Sequence, residues 1–367
     1  MSVTMKDIAM LAGVSRQAVS AVLSGSRHTR VAEATRERVR KLARELNYIP
    51  NQAARSLSGG KTHTIGFFGG LFSPYGVNAA LLSEVSGALR SQGYYVIGGH
   101  HGFGDVDEDV RFLAGFVSRG VDGVVVYGSG RHEPGLEEAV TVPHVFCSPH
   151  AADEGCDVGV DSVGGGAMAT QHLIEHGHSR IAYLRIAPHE TRHRLVGWRQ
   201  ALREAGLEDG NGMVLTLRDL DGSADAVLAE LRRLRITAVF AQNDSVAAKL
   251  MNALVQRGVR IPDDIAIVGY DGSSFANFCP VPLTTVVQPI REQAEAITKL
   301  LLERVTRHEV RAAAANIVVE PLLYRGGSCG CPPRPINRLY RINSPDTLEL
   351  DCRLNFGIEI EDICGHP

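Results

Sequence analysis

Long apolar runs are missing from this chain. No stretch approaches the roughly 18 apolar residues that a membrane-spanning helix requires, which argues against an integral membrane protein. No apolar segment follows a basic start after Met1, so we expect no secretory signal peptide. Cysteine is also scarce: the seven cysteines are odd in number and scattered. They argue against a disulfide framework and favour a reducing, cytoplasmic location.

Acidic residues are scarce at the start of the chain. The 367 residues are 44% hydrophobic and 22% charged, which is typical of a soluble protein with two or three domains. Residues 1–62 contain eleven Lys or Arg and only four acids, a balance of +7, and the remainder is therefore −10. A basic head on an acidic body predicts a polyanion-binding module joined to a second function.

The basic head has the pattern of a helix-turn-helix module. Thr4 can cap a helix over Met5–Ala12, Gly13 turns the chain, and Ser15 can cap a second helix over Arg16–Leu23. A third helix, about Glu33–Leu46, closes the core. The residues expected to point inward are Ile8, Leu11, Val14, Val19, Val22, Leu23, Val39, Leu42, Ala43 and Leu46. An ordinary three-helix bundle with solvated charges is the alternative.

The exposed face of the second helix predicts contacts with DNA bases. Arg16 can bind guanine, Gln17 can bind adenine, and Ala21 can contact a thymine methyl group. Other polar side chains are expected to contact the DNA backbone, which positions the protein without specifying a sequence. These residues are Lys6, Ser15, Ser20, Arg27, Arg30, Arg36, Asn51 and Arg55.

A short basic segment follows the head. Pro50 suits the first position of a helix, and Gly59 and Gly60 would end it after one or two turns. Such a helix is too short to be stable alone, yet it presents Leu57 among basic residues. These features favour a helix that folds when Leu57 is inserted into a DNA minor groove. An ordinary interdomain linker is the alternative.

The body alternates short apolar runs with helical patterns, which predicts parallel sheets with helices on both faces. The predicted strands are Ile65–Phe68, Tyr95–Ile97, Gly123–Tyr127, His144–Cys147, Arg180–Ile186, Met213–Leu217, Ala238–Ala241 and Ile265–Tyr270. These eight strands divide near Asp157–Gly166, which favours two similar lobes with a cleft between them. Ligands of open parallel sheets bind beyond the carboxyl ends of the strands, so the cleft is the expected ligand site.

Both halves of the chain resemble one family. In the head, the segments Lys6–Ala9, Ala12–Ser15, Thr35–Val39, Leu46–Asn51 and Ala54–Leu57 are similar to the lactose-repressor (LacI/GalR) family over about sixty ungapped residues. In the body, the similar segments are Val160–Asp161, Gly177–Leu184, Arg194–Trp198, Asn243–Asp244, Gly269–Asp271 and Pro282–Thr285. The family's ligand domain is similar to periplasmic sugar-binding proteins.

The resemblance implies roles for particular residues. It places Arg16, Gln17 and Ala21 at base-reading positions and Leu57 at the minor-groove wedge. It also implies an effector site formed by Arg194, Asn243, Asp271, Tyr75 and Trp198. Arg194 can donate to adjacent hydroxyl groups and Asp271 can accept from two of them. A strand-end cap is the alternative role for Asp271.

The resemblance also implies the organisation of the whole chain. We expect a helix-turn-helix domain at 1–49, a hinge helix and linker at 50–62, and a two-lobed ligand and dimerisation domain at 63–333. The first lobe would span about 63–160 and 289–318, the second about 161–288 and 319–333, and a poorly ordered tail 334–367. The expected protein is a cytoplasmic repressor, a homodimer or tetramer, that binds a pseudo-palindromic operator and a small-molecule effector.

Several departures and competing motifs remain. Cys147 and Gly272 stand where relatives often have polar residues, which makes an ordinary sugar effector less secure. His189–His193 spells the zinc-protease pattern H-E-x-x-H, but it falls in a predicted loop rather than a long helix. The late cysteines 329, 331, 352 and 364, with His366, match no strong zinc spacing. We therefore expect no metal, no cofactor and no enzymatic activity.

Overall fold

A computed structural model describes residues 3–23, 31–48, 61–69, 77–99, 106–128, 135–148, 155–186, 192–217 and 223–332. The chain divides into two compact units, Met1–Thr62 and His63–Pro367. The predicted wedge residue Leu57 and the predicted tail lie outside the described residues. Among the described residues, no helix is long and apolar enough to cross a membrane.

The described part of the first unit contains three helices: α1 (Met5–Ala12), α2 (Arg16–Leu23) and α3 (Glu33–Glu45). Helix α1 begins with a capping box, in which the Thr4 hydroxyl accepts from the Asp7 backbone N–H and the Asp7 carboxylate accepts from the Thr4 N–H. The helices pack around Ile8, Val19 and Val39, which have no solvent exposure. The predicted helix-turn-helix is therefore present.

Leu11 is a correction to the predicted core of the head. Its side chain is 55% exposed, whereas Ile8, Ala9 and Ala12 are buried. The buried stripe of α1 thus runs along positions 8, 9 and 12, and Leu11 lies at the edge of that stripe. The apolar character of Leu11 was therefore not sufficient to predict that its side chain is buried.

The described residues of the second unit form two six-stranded sheets. The strands are β1 (Thr64–Gly69), β2 (Tyr95–Gly99), β3 (Gly123–Tyr127), β4 (His144–Ser148), β5 (Val158–Val160), β6 (Ile181–Arg185), β7 (Val214–Thr216), β8 (Ala238–Ala241), β9 (Ala266–Asp271), β10 (Thr284–Val287), β11 (Ile317–Val319) and β12 (Leu322–Tyr324). Their orders are β11-β5-β4-β3-β1-β2 and β12-β10-β9-β8-β6-β7. The described pairs are parallel except for β10 with β12.

Eight helices connect and cover the described strands of the two sheets. They are α4 (Val77–Ser91), α5 (Val106–Ser118), α6 (Leu136–Ala139), α7 (Ser162–Glu175), α8 (Arg192–Glu204), α9 (Ala224–Arg233), α10 (Asp244–Val255) and α11 (Ile290–Arg307). Two short 3-10 turns occur at Asn211–Met213 and Ser274–Phe278. We call the first sheet with its helices the first lobe, and the second sheet with its helices the second lobe.

Within the described segments the chain passes between the two lobes three times. The passages follow β5, β10 and β11. Helix α11, which comes after second-lobe strand β10, packs into the first-lobe core through Ile290, Ile297 and Leu301. The crossings therefore place the end of β10 at the boundary between the lobes.

Four short strands, β5, β10, β11 and β12, and the long helix α11 were absent from the sequence prediction. Strands β5, β11 and β12 have three residues each, and β11 is mostly exposed, so none of the three has a long apolar run. Helix α11 did have a visible signal. Its buried residues Ile290, Ala294, Ile297, Leu301 and Val305 recur at intervals of three or four, as on one helical face.

Candidate functional site

The exposed face of α2 carries the predicted base-reading residues. Arg16, Gln17 and Ser20 are exposed, and Ala21 is half-buried. Val19 and Val22 of the same helix are buried in the core of the head. The Ser15 hydroxyl accepts from the Ala18 backbone N–H at 3.2 Å, which fixes the start of the helix. Among the described residues of the head, the polar side of α2 is thus exposed and can contact a partner.

The predicted backbone contacts of the head differ in accessibility. Lys6 is exposed, whereas the Arg36 side chain is only 11% exposed. Arg36 Nε donates to the Val31 carbonyl at 3.2 Å, and its guanidinium lies 3.9 Å from Glu33. Arg36 therefore holds the start of α3 in place. Arg27, Arg30, Asn51 and Arg55 lie outside the described residues.

In the second unit, polar side chains from both lobes come together near the carboxyl ends of the strands. Tyr127 ends β3 in the first lobe, and Asp271 ends β9 in the second. Gln288 follows β10 directly, and Arg194 lies in the first turn of α8. The region where these residues lie corresponds to the crevice in which open parallel sheets bind ligands.

Arg194 and Asp271 form a buried ion pair. Arg194 Nη2 donates to Asp271 Oδ1 at 2.9 Å, and the side chains are 5% and 16% exposed. Arg194 Nη1 donates to the Gln242 carbonyl oxygen, and the guanidinium carbon lies 3.7 Å from the centre of the Tyr270 ring. The ring supplies a cation–π contact, so the guanidinium is held from three sides.

The electrostatics of the pair are set by burial and by the neighbouring charge. Burial raises the pKa of Asp271, and the Arg194 charge and the hydrogen bond from Gln288 oppose that rise. Burial disfavours the charged form of Arg194, but the charge and hydrogen bond of Asp271, together with Tyr270 and Tyr183, outweigh it, so the pKa of Arg194 is raised. Because a guanidinium keeps its proton, the pair presents one positive and one negative group with no net charge.

Among the described residues, the hydrogen bonds to the Asp271 carboxylate all end at one oxygen, Oδ1. The Gln288 amide donates to Oδ1 at 2.8 Å, the same oxygen that binds Arg194. The backbone of Asp271 has φ of +112°, an unusual value for a residue with a side chain. Gly272 follows with φ of +65°, and a Cβ there would lie 2.7 Å from the Val287 side chain. The tight turn thus explains the glycine noted in the sequence.

Several buried polar atoms near this pair have no hydrogen-bond partner among the described residues. They include the Tyr127 hydroxyl, Arg194 Nε and Gln288 Oε1. Burial raises the pKa of Tyr127, and the negative charge of Asp271 raises it further, so these groups from the two lobes are near one another. Buried polar atoms without partners are costly, and a polar ligand is one way to satisfy them.

Asp244 is a second buried carboxyl group close to the pair. It accepts from the Ser273 backbone N–H at 2.6 Å and from the Thr285 hydroxyl at 2.5 Å. Burial raises the pKa of Asp244 to about 8, and the nearby Asp271 charge adds to that rise. Asp244 therefore joins β10 to the loop after β9 and supports the position of Asp271.

The remaining predicted effector residues lie in different environments. The Asn243 side-chain oxygen accepts from the Val246 N–H at 3.0 Å and caps α10. Trp198 was also predicted as an effector contact, and the structure places it in the core of the second lobe. Its side chain has no solvent exposure and packs in the second-lobe core, with its ring 6.2 Å from that of Tyr183. Tyr75 lies outside the described residues.

The sequence prediction missed three residues of this region. Tyr127, Asp244 and Gln288 each stand at or just after the end of a strand or at the start of a helix, positions that the sheet topology makes adjacent. The strand ends were a usable signal for Tyr127. Strand β10 was not predicted, so nothing in the sequence prediction directed attention to Gln288.

Comparison with known proteins places both units in one family. Residues 4–51 match the family described as bacterial regulatory proteins, lacI family, and residues 170–329 match a periplasmic binding protein-like domain. The ribose operon repressor of Escherichia coli (strain K12) is 35% identical over 336 residues, which cover 89% of this chain and 99% of the repressor. The chain belongs to the LacI family.

Other relatives of this LacI-family protein agree with that assignment. The HTH-type transcriptional repressor PurR of Vibrio atlanticus (strain LGP32) is 36% identical over 315 residues, covering 82% of this chain and 92% of PurR. A transcriptional regulator CelR–cellobiose complex has a TM-score of 0.61 and 31% identity, covering 89% and 99% of the two chains. The protein is a DNA-binding transcriptional regulator with a periplasmic-binding-protein-like ligand domain.

The fold is also that of the lactose repressor. The lac repressor dimer bound to operator and the anti-inducer ONPF has a TM-score of 0.77 at 23% identity, covering 90% of this chain and 99% of that one. The predicted fold class, a helix-turn-helix head on a two-lobed body with parallel sheets, is confirmed.

Proposed function

We propose that this regulator is a homodimeric repressor whose affinity for an operator is changed by a neutral, hydroxyl-rich effector bound at Arg194 and Asp271. The observation that carries the proposal is the buried ion pair, together with polar atoms from both lobes that have no partner among the described residues. The pair has no net charge of its own, so a neutral ligand leaves no charge uncompensated. We propose the cytoplasm as its site of action, because that is where a bacterial operator lies.

The chemistry of the site favours a sugar. Asp271 Oδ2 and the Gln288 side-chain oxygen can accept from hydroxyl groups, and Arg194 Nε and the Tyr127 hydroxyl can donate to them. The relatives point in the same direction, because one is named for the ribose operon and another was solved with cellobiose. Ribose is therefore the first compound to test.

Control of DNA binding follows from the two-lobed arrangement. An effector that contacts Tyr127 from the first lobe and Asp271 from the second favours the lobe arrangement in which both contacts are made. A change in that arrangement alters the spacing of two head domains in a dimer, and therefore their match to two operator half-sites. We propose that residues 50–62 form the connecting hinge and that Leu57 inserts into the minor groove.

A thermal-shift screen of neutral sugars and charged metabolites tests the effector proposal. Ribose or another neutral sugar should raise the melting temperature, because binding to the folded state stabilises it. Arg194→Lys should remove the shift, since one ammonium group cannot reach both the Gln242 carbonyl and Asp271. Arg180→Lys is the matched control, because Arg180 lies in the same lobe and its side chain contacts Leu234 and Glu208, away from the site.

Two results would contradict the effector proposal. One is a shift with charged metabolites and none with neutral sugars. The other is an unchanged sugar response in Arg194→Lys. An effector that binds must also change operator affinity in a gel-shift titration, and a ligand that stabilises the protein without this effect is not the regulator's signal.

The DNA-reading proposal is tested by Arg16→Ala. Loss of a bidentate contact to guanine should cost about 1–3 kcal/mol and relax the preference at one base position in each half-site. Lys6→Ala is the control, because loss of a phosphate contact should weaken binding to all sequences alike. Binding to a library of operator variants distinguishes the two, and a uniform loss for Arg16→Ala would exclude its base-reading role.

A further inference from the structure

Four side chains of the types that bind metal ions meet at the C-terminal end of α7. They are His172, His176, Cys329 and Cys331, and their ligand atoms all lie within 4.8 Å of one another. The histidines are one helical turn apart, so they face the same side of the helix. The cysteines belong to the segment after β12, and His172 and Cys329 are 157 positions apart in sequence. The tertiary structure alone brings the two pairs together.

The distances in this cluster match those around a tetrahedral metal ion. His172 Nε2 lies 3.2 Å from Cys329 Sγ and 3.6 Å from Cys331 Sγ, and His176 Nε2 lies 3.3 Å from Cys331 Sγ. Zinc binds sulfur at about 2.3 Å and imidazole nitrogen at about 2.0 Å, which puts a sulfur and a nitrogen ligand about 3.5 Å apart in a tetrahedron. The other pairs lie within 4.8 Å, so small rotations of the side chains would let one ion contact all four atoms.

The surroundings of the cluster suit a structural metal site. His172 and Cys329 are buried, whereas His176 is exposed, so the site is partly enclosed and has an open side for metal entry. The Thr284 hydroxyl donates to Cys329 Sγ at 2.9 Å and accepts from the Gly326 backbone N–H at 3.0 Å. Such outer contacts orient a sulfur ligand and stabilise its negative charge.

Gly330, between the two cysteines, allows both sulfurs to reach the same point. Its φ of +95° lies in the left-handed region, which a residue with a side chain rarely adopts. A Cβ at this position would lie 3.5 Å from His176 Nδ1, so the turn passes close to the imidazole. The C-x-C turn is therefore shaped around the histidine pair.

We propose that His172, His176, Cys329 and Cys331 form a zinc site that fastens the segment after β12 to helix α7. Two thiolates and two neutral imidazoles compensate the charge of a divalent ion, and a tetrahedral set of two sulfurs and two nitrogens is typical of zinc. The sequence prediction of no metal grouped Cys329 and Cys331 with the tail residues Cys352, Cys364 and His366, and it did not include His172 or His176.

The position of this site suggests a structural role in the ligand domain. Helix α7 packs closely on α8, because a Cβ at Gly197 of α8 would lie 1.9 Å from the Val163 carbonyl oxygen of α7. Helix α8 also carries Arg194. The metal would thus stabilise the helix against which the effector-binding helix rests.

Metal analysis of the untagged full chain, purified with a non-thiol reductant and without chelator, tests the proposal. We expect about one zinc per chain, and we expect Co²⁺ added to metal-free protein to give the visible and near-ultraviolet bands of tetrahedral thiolate coordination. The double variant C329S/C331S should lose both signals. Cys279→Ser is the matched control, because Cys279 lies in the same lobe but outside the cluster.

A second variant keeps the test valid if the cysteine variant does not fold. His176 is exposed, so His176→Gln should leave the protein folded and weaken zinc binding at least tenfold. His178→Gln, two positions away, should not change zinc binding.

Zinc removal should lower the melting temperature of the protein, and adding zinc back should restore it. Absence of zinc with no tetrahedral cobalt spectrum, or a Cys329–Cys331 disulfide in the reduced preparation, would overturn the proposal.

Discussion

Among the described residues, each lobe of the ligand domain contains one buried Arg–Asp pair, and the two pairs differ in how completely they are bonded. In the first lobe, both Arg304 terminal nitrogens bond Asp157, at 2.7 and 2.9 Å, and they also reach the His144 and Ala313 carbonyls. Asp157 in turn accepts from the Phe146 and Ala315 N–H groups. The protein itself supplies the partners of this pair.

The second-lobe pair is less complete. Arg194 uses one nitrogen for Asp271, its Nε has no partner among the described residues, and both hydrogen bonds to the carboxylate end at Oδ1. Asp271 also has an unusual backbone conformation. A saturated buried ion pair is typical of a structural element, whereas an unsaturated one beside a cleft is typical of a binding site.

The largest expected effect comes from breaking the saturated pair. Arg304→Met should lower the free energy of unfolding by about 3–5 kcal/mol, because it leaves the Asp157 carboxylate buried and unpaired. Urea denaturation of the body measures this loss. Arg260→Met, in an exposed pair with Asp264, is the control and should leave the transition unmoved. A loss for Arg304→Met as small as the control's would remove the contrast between the pairs.

Asp271→Asn should separate binding from stability. The asparagine oxygen can keep the bonds from Arg194 and Gln288, although the Arg194 charge loses its counter-charge, so the free energy of unfolding should fall by about 1–3 kcal/mol, less than for Arg304→Met. The amide nitrogen replaces Oδ2 and cannot accept from an effector hydroxyl. Effector affinity should therefore fall by about 1.5–3 kcal/mol, roughly 10-fold to 100-fold.

Calorimetric titration with the effector found in the screen measures that change in affinity. Asp264→Asn is the matched control, because its carboxylate is part of the surface pair with Arg260. If Asp271→Asn lowers the free energy of unfolding as much as Arg304→Met does, the proposed contrast between the two Arg–Asp pairs is wrong, since Asp271 would then be primarily structural.

Per unit of pH, the smallest effect is the pH dependence of stability near the unsaturated pair. The pKa of Asp244 is about 8 in the folded protein and near 3.8 when unfolded, so the folded state binds the extra proton between these values. Its contribution is full below about pH 4 and is lost as the pH rises through 8. Over that window stability should fall with a slope of up to about 1.4 kcal/mol per pH unit.

Asp244→Asn should flatten this slope in urea denaturation between pH 5 and 8. The asparagine can keep the contacts, because its oxygen accepts from Ser273 and its amide can donate to the Thr285 hydroxyl. An identical pH profile in the wild type and the variant would show that Asp244 is not the titrating group.

Most of the fold could be predicted from the sequence, but the short strands near the crossings between the lobes could not. Apolar runs such as Gly123–Tyr127 and Ala238–Ala241 were predicted with the bounds that the structure has. Strands β5, β11 and β12 were missed because three residues carry too little pattern, and their pairing depends on distant strands. Trp198, adjacent in sequence to a matching motif, was assigned to the cleft and proved to be a core residue.

The sequence alone determined the helix-turn-helix head and the alternating body, because these features depend on local periodicity, capping and charge, which neighbouring residues express directly. Arg194 and Asp271 were identified through the resemblance to the LacI/GalR family. The tertiary structure decided which residues meet. Tyr127 and Gln288 join Asp271, and His172 and His176 join Cys329 and Cys331, only because sheet order and chain crossings bring distant segments together.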